Sequence, residues 1–528
     1  MKKTFYLTTA IDYTNGPPHI GHAYEKVLAD VIARYQRLRT DEKGEREKVY
    51  FLTGVDQHGQ KVQQSAEKAG ISPQQFVDDL TVKFKALWQK LEVQYDGWAA
   101  TTEPLHKHCV QGMLQRLYDE GQIYKDKQEG YYSIRQEQFL TDKERGPDGE
   151  FGPEWGQVEH RVEENYYFRL SQHKDWLLDY LRNTPNCVSP DFRQTELINA
   201  VEKLSGDLCI SRPKSRLSWG IELPFDRDYV NYVWFDALTN YISFIGYDPA
   251  TDFASQPNEF REKWPALHII GKDILIPAHG IYWPIMLHAL GFPDEQMPRF
   301  LVHGWWNVSG AKISKSLGNV IDPDELADKY GTEALRYYLM TDMVIGQDAD
   351  FLSYRIIERY NSDLANSLGN LLNRTLSMAA RYPESKLRRP SRAGEGVTSG
   401  LIKAYCDLAE DVSMSGTMDT AIRIADKANL HIEQTSPWKM MKEGRAQEVG
   451  EILYDLAERL RIIAILISPV LPQGAHGIFD QLNWKMELSG KDERFSLGDA
   501  EWGILPEGHV VGKPKPLFPR IESVVAES

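Results

Sequence analysis

The chain has 528 residues, 42% of them hydrophobic, and a formal net charge of −15. This length is too great for one hydrophobic core, so we expect two to four domains. The negative charge argues against non-specific binding to nucleic acid, so any RNA contact is expected to be local. The sequence contains no run of 18 apolar residues and no CxxC pair among its four cysteines, which favours a cytoplasmic protein without a membrane span.

The first predicted unit is a strand, a turn and a helix. Residues 3–9 are β-branched and aromatic, as in a buried strand, and Asn15-Gly16-Pro17-Pro18 is the turn that ends it. Apolar residues then recur at helical spacing, which places His19 and His22 at or in the first turn of an amphipathic helix. The N-terminus of such a helix attracts anions, and Gly21 allows a ligand to approach the backbone closely. We therefore predict a polyphosphate site with two histidine donors.

Three further predicted strands are each followed by small or polar residues. They span 48–53, 267–270 and 300–302, and the residues that follow them include Asp56, Gly271, Asp273, His303 and Gly304. Ligands of doubly wound parallel sheets bind where the carboxyl ends of the strands meet. The pattern therefore predicts an α/β, Rossmann-like domain with a nucleotide site at that edge.

The pattern changes twice along the chain. Between about residues 118 and 222, Gly/Pro-rich segments predict short strands and loops inserted into the sheet domain. After residue 323 the apolar period becomes helical, which predicts an α-helical bundle. Its predicted helices cover 324–341, 354–381, 400–409, 417–434 and 446–468. The stretch 354–392 carries eight basic and three acidic residues, so it is the candidate for a local RNA contact, although such patches are commonly just solvated faces.

A second motif lies about 290 residues after the two histidines. Lys312, Ser314 and Lys315 fall in Ala311-Lys-Ile-Ser-Lys-Ser-Leu-Gly-Asn319, a donor-rich loop suited to closing over pyrophosphate. Taken alone, neither motif is specific, because two histidines can simply cap a surface helix and a lysine loop is usually solvated.

Together, His19-Ile-Gly-His22 and Lys312-Ile-Ser-Lys-Ser316 resemble the signature of the class I aminoacyl-tRNA synthetases. The text around both motifs, from about residue 4 to 520, resembles the methionyl-tRNA synthetases. This resemblance implies activation of L-methionine by ATP, with Mg²⁺, to methionyl-adenylate and transfer to tRNA(Met), for initiation and elongation of translation. It assigns catalytic roles to His19, Gly21, His22, Lys312, Ser314 and Lys315. It assigns ATP contacts to His19, His22, Gly271, Asp273, His303, Gly304, Lys312 and Lys315.

The resemblance also implies an amino-acid pocket and an anticodon site. The residues that match the methionine pocket are Ala10, Ile11, Tyr13, Asp56, Trp234, Ala237, Leu238, Tyr241 and His279. Aromatic rings suit a thioether because its sulfur is polarizable. Asn370, Arg374 and Trp438 match the anticodon residues, where a splayed base stacks on the indole and the other two bond its edge. Without the resemblance, we would favour an ordinary core helix and a tryptophan that covers the bundle end as the explanation of these residues.

Two departures from the family pattern stand out. The insertion lacks the paired cysteines of the family's zinc knuckles, so we expect no structural zinc and no other bound metal. Pro277-Ala278-His279 stands where relatives carry Phe-His with one residue fewer, which leaves one wall of the methionine pocket open to question.

The resemblance divides the chain into six parts, and we expect a monomer without membrane contact. The parts are the first half of the catalytic domain (1–117), the connective-peptide insertion (118–222), the second catalytic half (223–322), a stem-contact linker (323–353), the helical anticodon-binding domain (354–490) and a C-terminal tail that packs back (491–528). Two other interpretations remain open: a small nucleotidyltransferase with an HxGH motif, and a non-catalytic tRNA-binding relative. The chain length argues against the first, and the intact motifs argue against the second.

Overall fold

The structure is a computed structural model that describes residues 3–41, 43–133, 138–140, 142–146, 148–308, 310–312, 320–383, 386–390, 395–484 and 495–522. The strands are β1 (Phe5–Thr9), β2 (Asp12–Tyr13), β3 (Val49–Asp56), β4 (Gly97–Ala100), β5 (Ile123–Ser133), β6 (Gln138–Leu140), β7 (Val158–Phe168), β8 (Val188–Ser189), β9 (Leu208–Cys209), β10 (Ser211–Pro213), β11 (Glu222–Leu223), β12 (Asp226–Asn231), β13 (Ala266–Gly271), β14 (Arg299–His303), β15 (Trp306–Val308), β16 (Ala311–Lys312) and β17 (Ala349–Asp350).

Helices are the more numerous elements of the described chain. They are α1 (Ile20–Leu38), α2 (Gln60–Ala69), α3 (Pro73–Lys90), α4 (Pro104–Asp119), α5 (Lys174–Asn183), α6 (Asp191–Glu202), α7 (Trp234–Ser243), α8 (Asn258–Lys263), α9 (Lys272–Ile274), α10 (Trp283–Ala289), α11 (Pro323–Tyr330), α12 (Thr332–Thr341), α13 (Ser353–Arg359), α14 (Asn370–Arg381), α15 (Glu395–Glu410), α16 (Met414–Thr435), α17 (Pro437–Lys442), α18 (Ala446–Ile467) and α19 (Pro472–Gln481). Two π-helical segments, Leu275–Tyr282 and Tyr360–Gly369, join neighbouring helices.

A parallel sheet organises the first part of the chain. Its hydrogen-bonded order is β3-β1-β13-β14-β8, and β2 and β4 both pair with β3. Every one of these pairings is parallel, so the carboxyl ends of the strands lie along one edge. The four predicted strands, the helix after His19 and the Rossmann-like fold class are therefore confirmed.

Alternating side chains of the strands feed two cores, one on each face of the sheet. Leu7 of β1 packs with α1 and continues into the core of the helical region, whereas its neighbour Tyr6 packs with α4, α7 and α10. This alternation follows from the period of two in a strand. The helix that carries the two histidines thus shares a core with the bundle.

The insertion differs from the prediction of short strands and loops. Strands β5 and β7 are 11 residues long and pair antiparallel over their whole length. Helices α5 and α6 lie in the same stretch, and β8 between them joins the parallel sheet beside β14. The prediction relied on glycines and prolines at the tip of the hairpin, and it overlooked both helices, of which α6 buries only Leu197 and Val201 as apolar residues.

The helical region contains the predicted helices, with the following differences. The predicted helix 324–341 is two helices, because Gly331 adopts φ 92° between α11 and α12. The helix α19 was not predicted, since its glycines and prolines obscure the helical period. The segment predicted as one helix from 354 to 381 runs as α13, a π-helical segment and α14.

A buried ion pair ties α1 to this helical region. Arg336 of α12 and Asp30 of α1 are both fully buried, and Arg336 Nη2 donates to Asp30 Oδ2 at 2.8 Å. The same guanidinium donates to the carbonyl oxygens of Leu91, Pro469 and Val470. One side chain thus links four separate chain segments. We refer to this arrangement as the Arg336 node.

Candidate functional site

A cavity of about 650 Å³ opens at the carboxyl edge of the parallel sheet. Its lining residues are Ala10, Ile11, Asp12, Tyr13, His19, Gly21, His22, Tyr24, Glu25, Asp56, Lys61, Tyr232, Val233, Trp234, Ala237, Leu238, Tyr241, Gly271, Asp273, Ile274, His279, His303, Gly304, Trp305 and Trp306. All nine residues predicted for the methionine pocket are among them. The same cavity holds the two histidines, Gly21 and the four predicted ATP residues that follow β13 and β14.

The two histidines cap the helix that carries them. His19 is the N-cap of α1, and its Nδ1 accepts from Gly21 N at 3.2 Å. His22 Nδ1 accepts in turn from His19 N at 3.1 Å, and the two rings stack 3.8 Å apart. Since each Nδ1 is an acceptor, the proton of each neutral ring is on Nε2. The cap therefore presents two ring donors beside the positive end of the helix dipole.

A buried group of charges lies on the same side of the cavity. Lys26 is fully buried, and its Nζ donates to Asp12 Oδ1 at 2.6 Å, to Glu25 Oε1 at 2.8 Å and to Ala10 O at 3.0 Å. Glu25 Oε2 lies 3.1 Å from Nε2 of His303, which follows β14. Asp12 Oδ1 also lies 4.0 Å from His22 Nε2. These contacts fix the first turns of α1 against the sheet edge.

Burial and pairing act in opposite directions on these carboxyls. Burial raises the pKa of Asp12 to about 7, although Lys26 opposes the shift. Burial alone would also raise the pKa of Glu25, but Lys26 and His303 hold it below its usual value. Of the two carboxyls, Glu25 is therefore the one that stays ionised at neutral pH.

Asp56 is the acidic residue on the other side of the cavity. It is buried, and the pKa of its carboxyl is raised well above the usual value by burial and then by the nearby Asp236. Hydrogen bonds from His58 N, at 3.4 Å, and from Thr101 partly offset this rise. A cationic group placed in the cavity would favour the ionised form of Asp56.

An apolar and aromatic wall completes the cavity. Tyr241 Oη lies 2.7 Å from His279 Nε2, and His279 Nδ1 lies 2.9 Å from the carbonyl oxygen of Ile274. Because a carbonyl only accepts, His279 Nδ1 carries the proton and its Nε2 accepts from the tyrosine. Burial lowers the pKa of His279 to about 4, so this ring is neutral at physiological pH. In the segment that departs from the family pattern, Ile274 and His279 line the cavity, whereas Pro277 and Ala278 are not among the lining residues.

Val233 is a strained residue in this wall. Its φ of 25° lies in the left-handed region, immediately before α7 begins at Trp234. A β-branched residue rarely adopts this conformation, which costs about 1–3 kcal/mol and is typical of ligand-binding segments. This strained backbone begins α7 shortly after β12, and it places Trp234, the first residue of α7, in the cavity lining.

Several lining or supporting residues were not predicted. They are Asp12, Tyr24, Glu25, Lys26, His58, Lys61, His106, Tyr232, Val233, Asp236, Ile274, Trp305 and Trp306. The available signal was charge among apolar residues: Glu25 and Lys26 stand between Tyr24 and Val27 in α1, and Asp236 stands between Phe235 and Ala237 in α7. Charged residues in such positions are nearly always paired or functional.

The second motif lies mostly beyond the described chain. The backbone of Lys312 is part of the short strand β16, which pairs antiparallel with β15 beyond Trp306. Ser314 and Lys315 lie outside the described residues. The roles predicted for these three side chains are therefore not tested by the geometry.

The predicted anticodon residues lie in the helical region, away from the cavity lining. Asn370 begins α14 and is exposed, and Arg374 Nη2, one turn later, donates to Glu433 Oε1 at 2.6 Å. Trp438 is 36% exposed at the start of α17. An indole so exposed on a helix terminus is available for stacking.

No cluster of three or more metal-ligating side chains occurs among the residues with described positions. The four cysteines are unpaired, and Cys109 and Cys187 are buried. Among the described helices, none is both long and apolar enough to cross a membrane.

Comparison with known proteins gives consistent results. The family model described as tRNA synthetases class I (M) matches residues 5–148 and 155–376. A methionine–tRNA ligase from Caldanaerobacter subterraneus is 40% identical over 531 residues, covering 99% of this chain and 80% of the relative. One from Thermosynechococcus vestitus is 38% identical and covers 100% of both chains. The Mycobacterium tuberculosis methionyl-tRNA synthetase in complex with methionyl-adenylate superposes with a TM-score of 0.87 at 34% identity, covering 98% of this chain and 100% of that one.

Proposed function

The chain belongs to the class I methionyl-tRNA synthetases, and on that basis we propose that its cavity activates L-methionine with ATP and that the product is transferred to tRNA(Met). The observation that carries this proposal is the single cavity in which a capped helix N-terminus, a buried carboxyl and an aromatic wall meet. Membership in this family argues against the alternative of a small HxGH nucleotidyltransferase. It equally argues against a non-catalytic tRNA-binding relative.

Methionine occupies the half of the cavity that contains Asp56. Its ammonium group pairs with the Asp56 carboxylate, and its side chain lies against Trp234, Tyr241 and His279. The other contacts come from Ala10, Ile11, Tyr13, Ala237 and Leu238. The thioether suits this wall because sulfur contacts aromatic rings favourably. His279 holds Tyr241 in place through the 2.7 Å hydrogen bond.

ATP, taken as its Mg²⁺ complex, occupies the half that contains α1. The triphosphate lies over the N-terminus of α1, where backbone N–H groups and the Nε2 donors of His19 and His22 face it. Gly21 leaves the His19 ring in its capping position, because a Cβ there would meet that ring at about 3.1 Å. The adenosine lies toward Gly271, Asp273, His303 and Gly304.

The reaction itself is an in-line displacement. A carboxylate oxygen of methionine forms a bond to the α-phosphorus while the bond from that phosphorus to the bridging oxygen breaks, and pyrophosphate leaves. No covalent enzyme intermediate is required. The protein contributes positioning and charge stabilisation, from His19 and His22 on one side and from Lys312, Ser314 and Lys315 on the other.

Transfer to the terminal ribose of tRNA follows, with the anticodon bound by the helical region. Support for this assignment comes from the exposure of Asn370 and Trp438, and from the bond of Arg374 to Glu433, which lies five residues before Trp438. We further propose that the protein acts as a cytoplasmic monomer and holds no structural zinc, since the insertion has no thiolate pair. The six domain boundaries given by the resemblance stay a proposal as well.

ATP–pyrophosphate exchange with each of the twenty amino acids, without tRNA, tests the activation step. We expect exchange with methionine alone. The absence of exchange with every amino acid, in folded protein, would refute the proposed function.

A further inference from the structure

A buried carboxylate behind the amino-acid site has no role in the contacts proposed above. Asp236, in the first turn of α7, is 1% exposed and does not line the cavity. Its Oδ2 lies 2.7 Å from His58 Nδ1, and its Oδ1 lies 2.9 Å from His106 Nε2. Both oxygens are therefore held by imidazoles from two other elements of the fold.

The contacts continue outward from Asp236 in both directions. On one side, His58 also donates its backbone N–H to Asp56 Oδ1 at 3.4 Å, so one residue contacts both carboxyls. On the other side, His106 Nδ1, in the first turn of α4, lies 2.8 Å from Ser243 Oγ at the end of α7. Asp56, His58, Asp236, His106 and Ser243 thus form one continuous chain of hydrogen bonds, which we call the Asp236 relay.

The relay places a permanent negative charge behind the residue proposed to bind the ammonium group. Burial opposes ionisation of Asp236, but His58 and His106 lower its pKa to about 2. The same ionised carboxylate is the second cause, after burial, of the raised pKa of Asp56. If Asp236 served only to hold its two histidines in place, it would not need to lie near a second buried carboxyl, because two like charges in a buried site are unfavourable.

We propose that Asp236 is a positioning residue for methionine activation, which fixes the Asp56 loop through His58 and adds a second negative charge behind the ammonium site. This inference rests on the proposed function, because it assumes that the ammonium group pairs with Asp56. In the empty cavity the two carboxyls repel each other. An ammonium group bound in the cavity beside Asp56 offsets this repulsion. The relay therefore lowers the free energy of the occupied site relative to the empty one.

The proposal predicts a proton-linked binding step. The groups that face Asp56 are Asp236, His58 and His106 from the relay, Lys61 of α2 and Tyr13 of β2. Because the pKa of Asp56 is raised, the ionised form that pairs with ammonium is present at high pH and is lost as the pH falls through that pKa. Affinity for methionine should therefore fall toward acid pH. In Asp236→Asn the loss should begin at lower pH, since one like charge is gone.

The test uses the full-length chain and the Asp236→Asn variant in ATP–pyrophosphate exchange from about pH 5.5 to about pH 8.5. At about pH 8 we expect KM for methionine to rise about tenfold, equivalent to about 1.4 kcal/mol, with kcat within about twofold. At the acid end the difference between the two proteins should narrow. Thr239→Val is the matched control, because the Thr239 hydroxyl is buried in the same helix but bonds Phe235 O and Met113 Sδ and takes no part in the relay, so this variant should keep the wild-type KM.

Two analogues separate electrostatics from a general loss of shape. L-Methioninol keeps the ammonium group, whereas desamino-methionine lacks it. Asp236→Asn should weaken inhibition by methioninol about tenfold and leave inhibition by the desamino analogue unchanged. Equal weakening of both analogues, or an unchanged KM for methionine, would overturn the proposal.

If the variant does not fold, the wild-type protein alone still tests the proton-linked binding step. Inhibition by methioninol should weaken as the pH falls, and a constant inhibition constant across the whole range would overturn the relay. Failure of the proposed function gives a different result, namely no methionine-dependent exchange in the wild type at any pH.

Discussion

Replacing Arg336 by methionine should destabilise the protein strongly, because the Arg336 node has no access to water. The guanidinium is fully buried and donates four hydrogen bonds, one to Asp30 and three to carbonyl oxygens of Leu91, Pro469 and Val470. Removing one partner of a buried ion pair costs about 3–5 kcal/mol. At about 2–4 °C per kcal/mol for a cooperative unit of 150–250 residues, the first unfolding transition should shift down by roughly 6–20 °C.

Thermal denaturation followed by circular dichroism measures this shift. Arg34→Met is the matched control, because Arg34 shares the partner Asp30 but donates only one further bond, to Glu92 O, so its loss should cost less. In Arg336→Met, Asp30 keeps Arg34 as an ion partner, so the loss should lie toward the lower end of the stated range. A shift below about 2 °C would refute this account.

The dependence of the shift on pH gives a second check. Burial would raise the pKa of Asp30, but Arg34 and Arg336 hold it below the usual value. A carboxyl with a depressed pKa contributes stability above its unfolded pKa, and this contribution is lost as the pH falls through the folded value. The stability difference between wild type and Arg336→Met should therefore be largest near neutral pH and should narrow in acid.

Three further predictions concern the reaction and its partners. His22→Ala should lower the rate of ATP–pyrophosphate exchange by about 10²–10³-fold while equilibrium binding of methionine is nearly unchanged, and Lys315→Ala should behave similarly; unchanged rates in both would remove the assigned roles. Trp438→Ala should raise KM for tRNA in aminoacylation by an amount equivalent to about 1–3 kcal/mol without affecting exchange, so an equal loss in both assays would contradict an anticodon role. The purified protein should contain no stoichiometric zinc, and elemental analysis showing about one zinc per chain would contradict this.

The sheet and its edge could be predicted from local sequence because strand ends coincide with small and polar residues. The observed cavity is lined by all five residues predicted at the ends of β3, β13 and β14, since parallel strands bring their carboxyl ends together whatever lies between them: Asp56, Gly271, Asp273, His303 and Gly304. The residues of α7 and His279 came from the family resemblance. Helical spacing alone would assign Trp234 and Tyr241 equally well to an ordinary core.

The buried charge pairs and the long hairpin of the insertion were not predicted, because they depend on contacts between segments that are distant in sequence. Asp12 and Lys26 are 14 residues apart, and Asp236 and His106 are 130 apart, so their pairing depends on how α1, α4 and α7 pack. The insertion was misread for a related reason. Its long hairpin is defined by the pairing of β5 with β7, whose register no single strand specifies.

The reciprocal cap formed by His19 and His22 has a consequence for how this chain can vary. The ring nitrogens that begin α1 belong to the same side chains that we propose face the triphosphate, so a change at either position alters the helix start as well as the proposed phosphate contact. A substitution that loosens the first turn also removes a donor, and one that exchanges the donor also loosens the turn. Improvement at these two positions would need coordinated changes at both, whereas gradual adjustment can occur through neighbours such as Asp12 that touch only one of the rings.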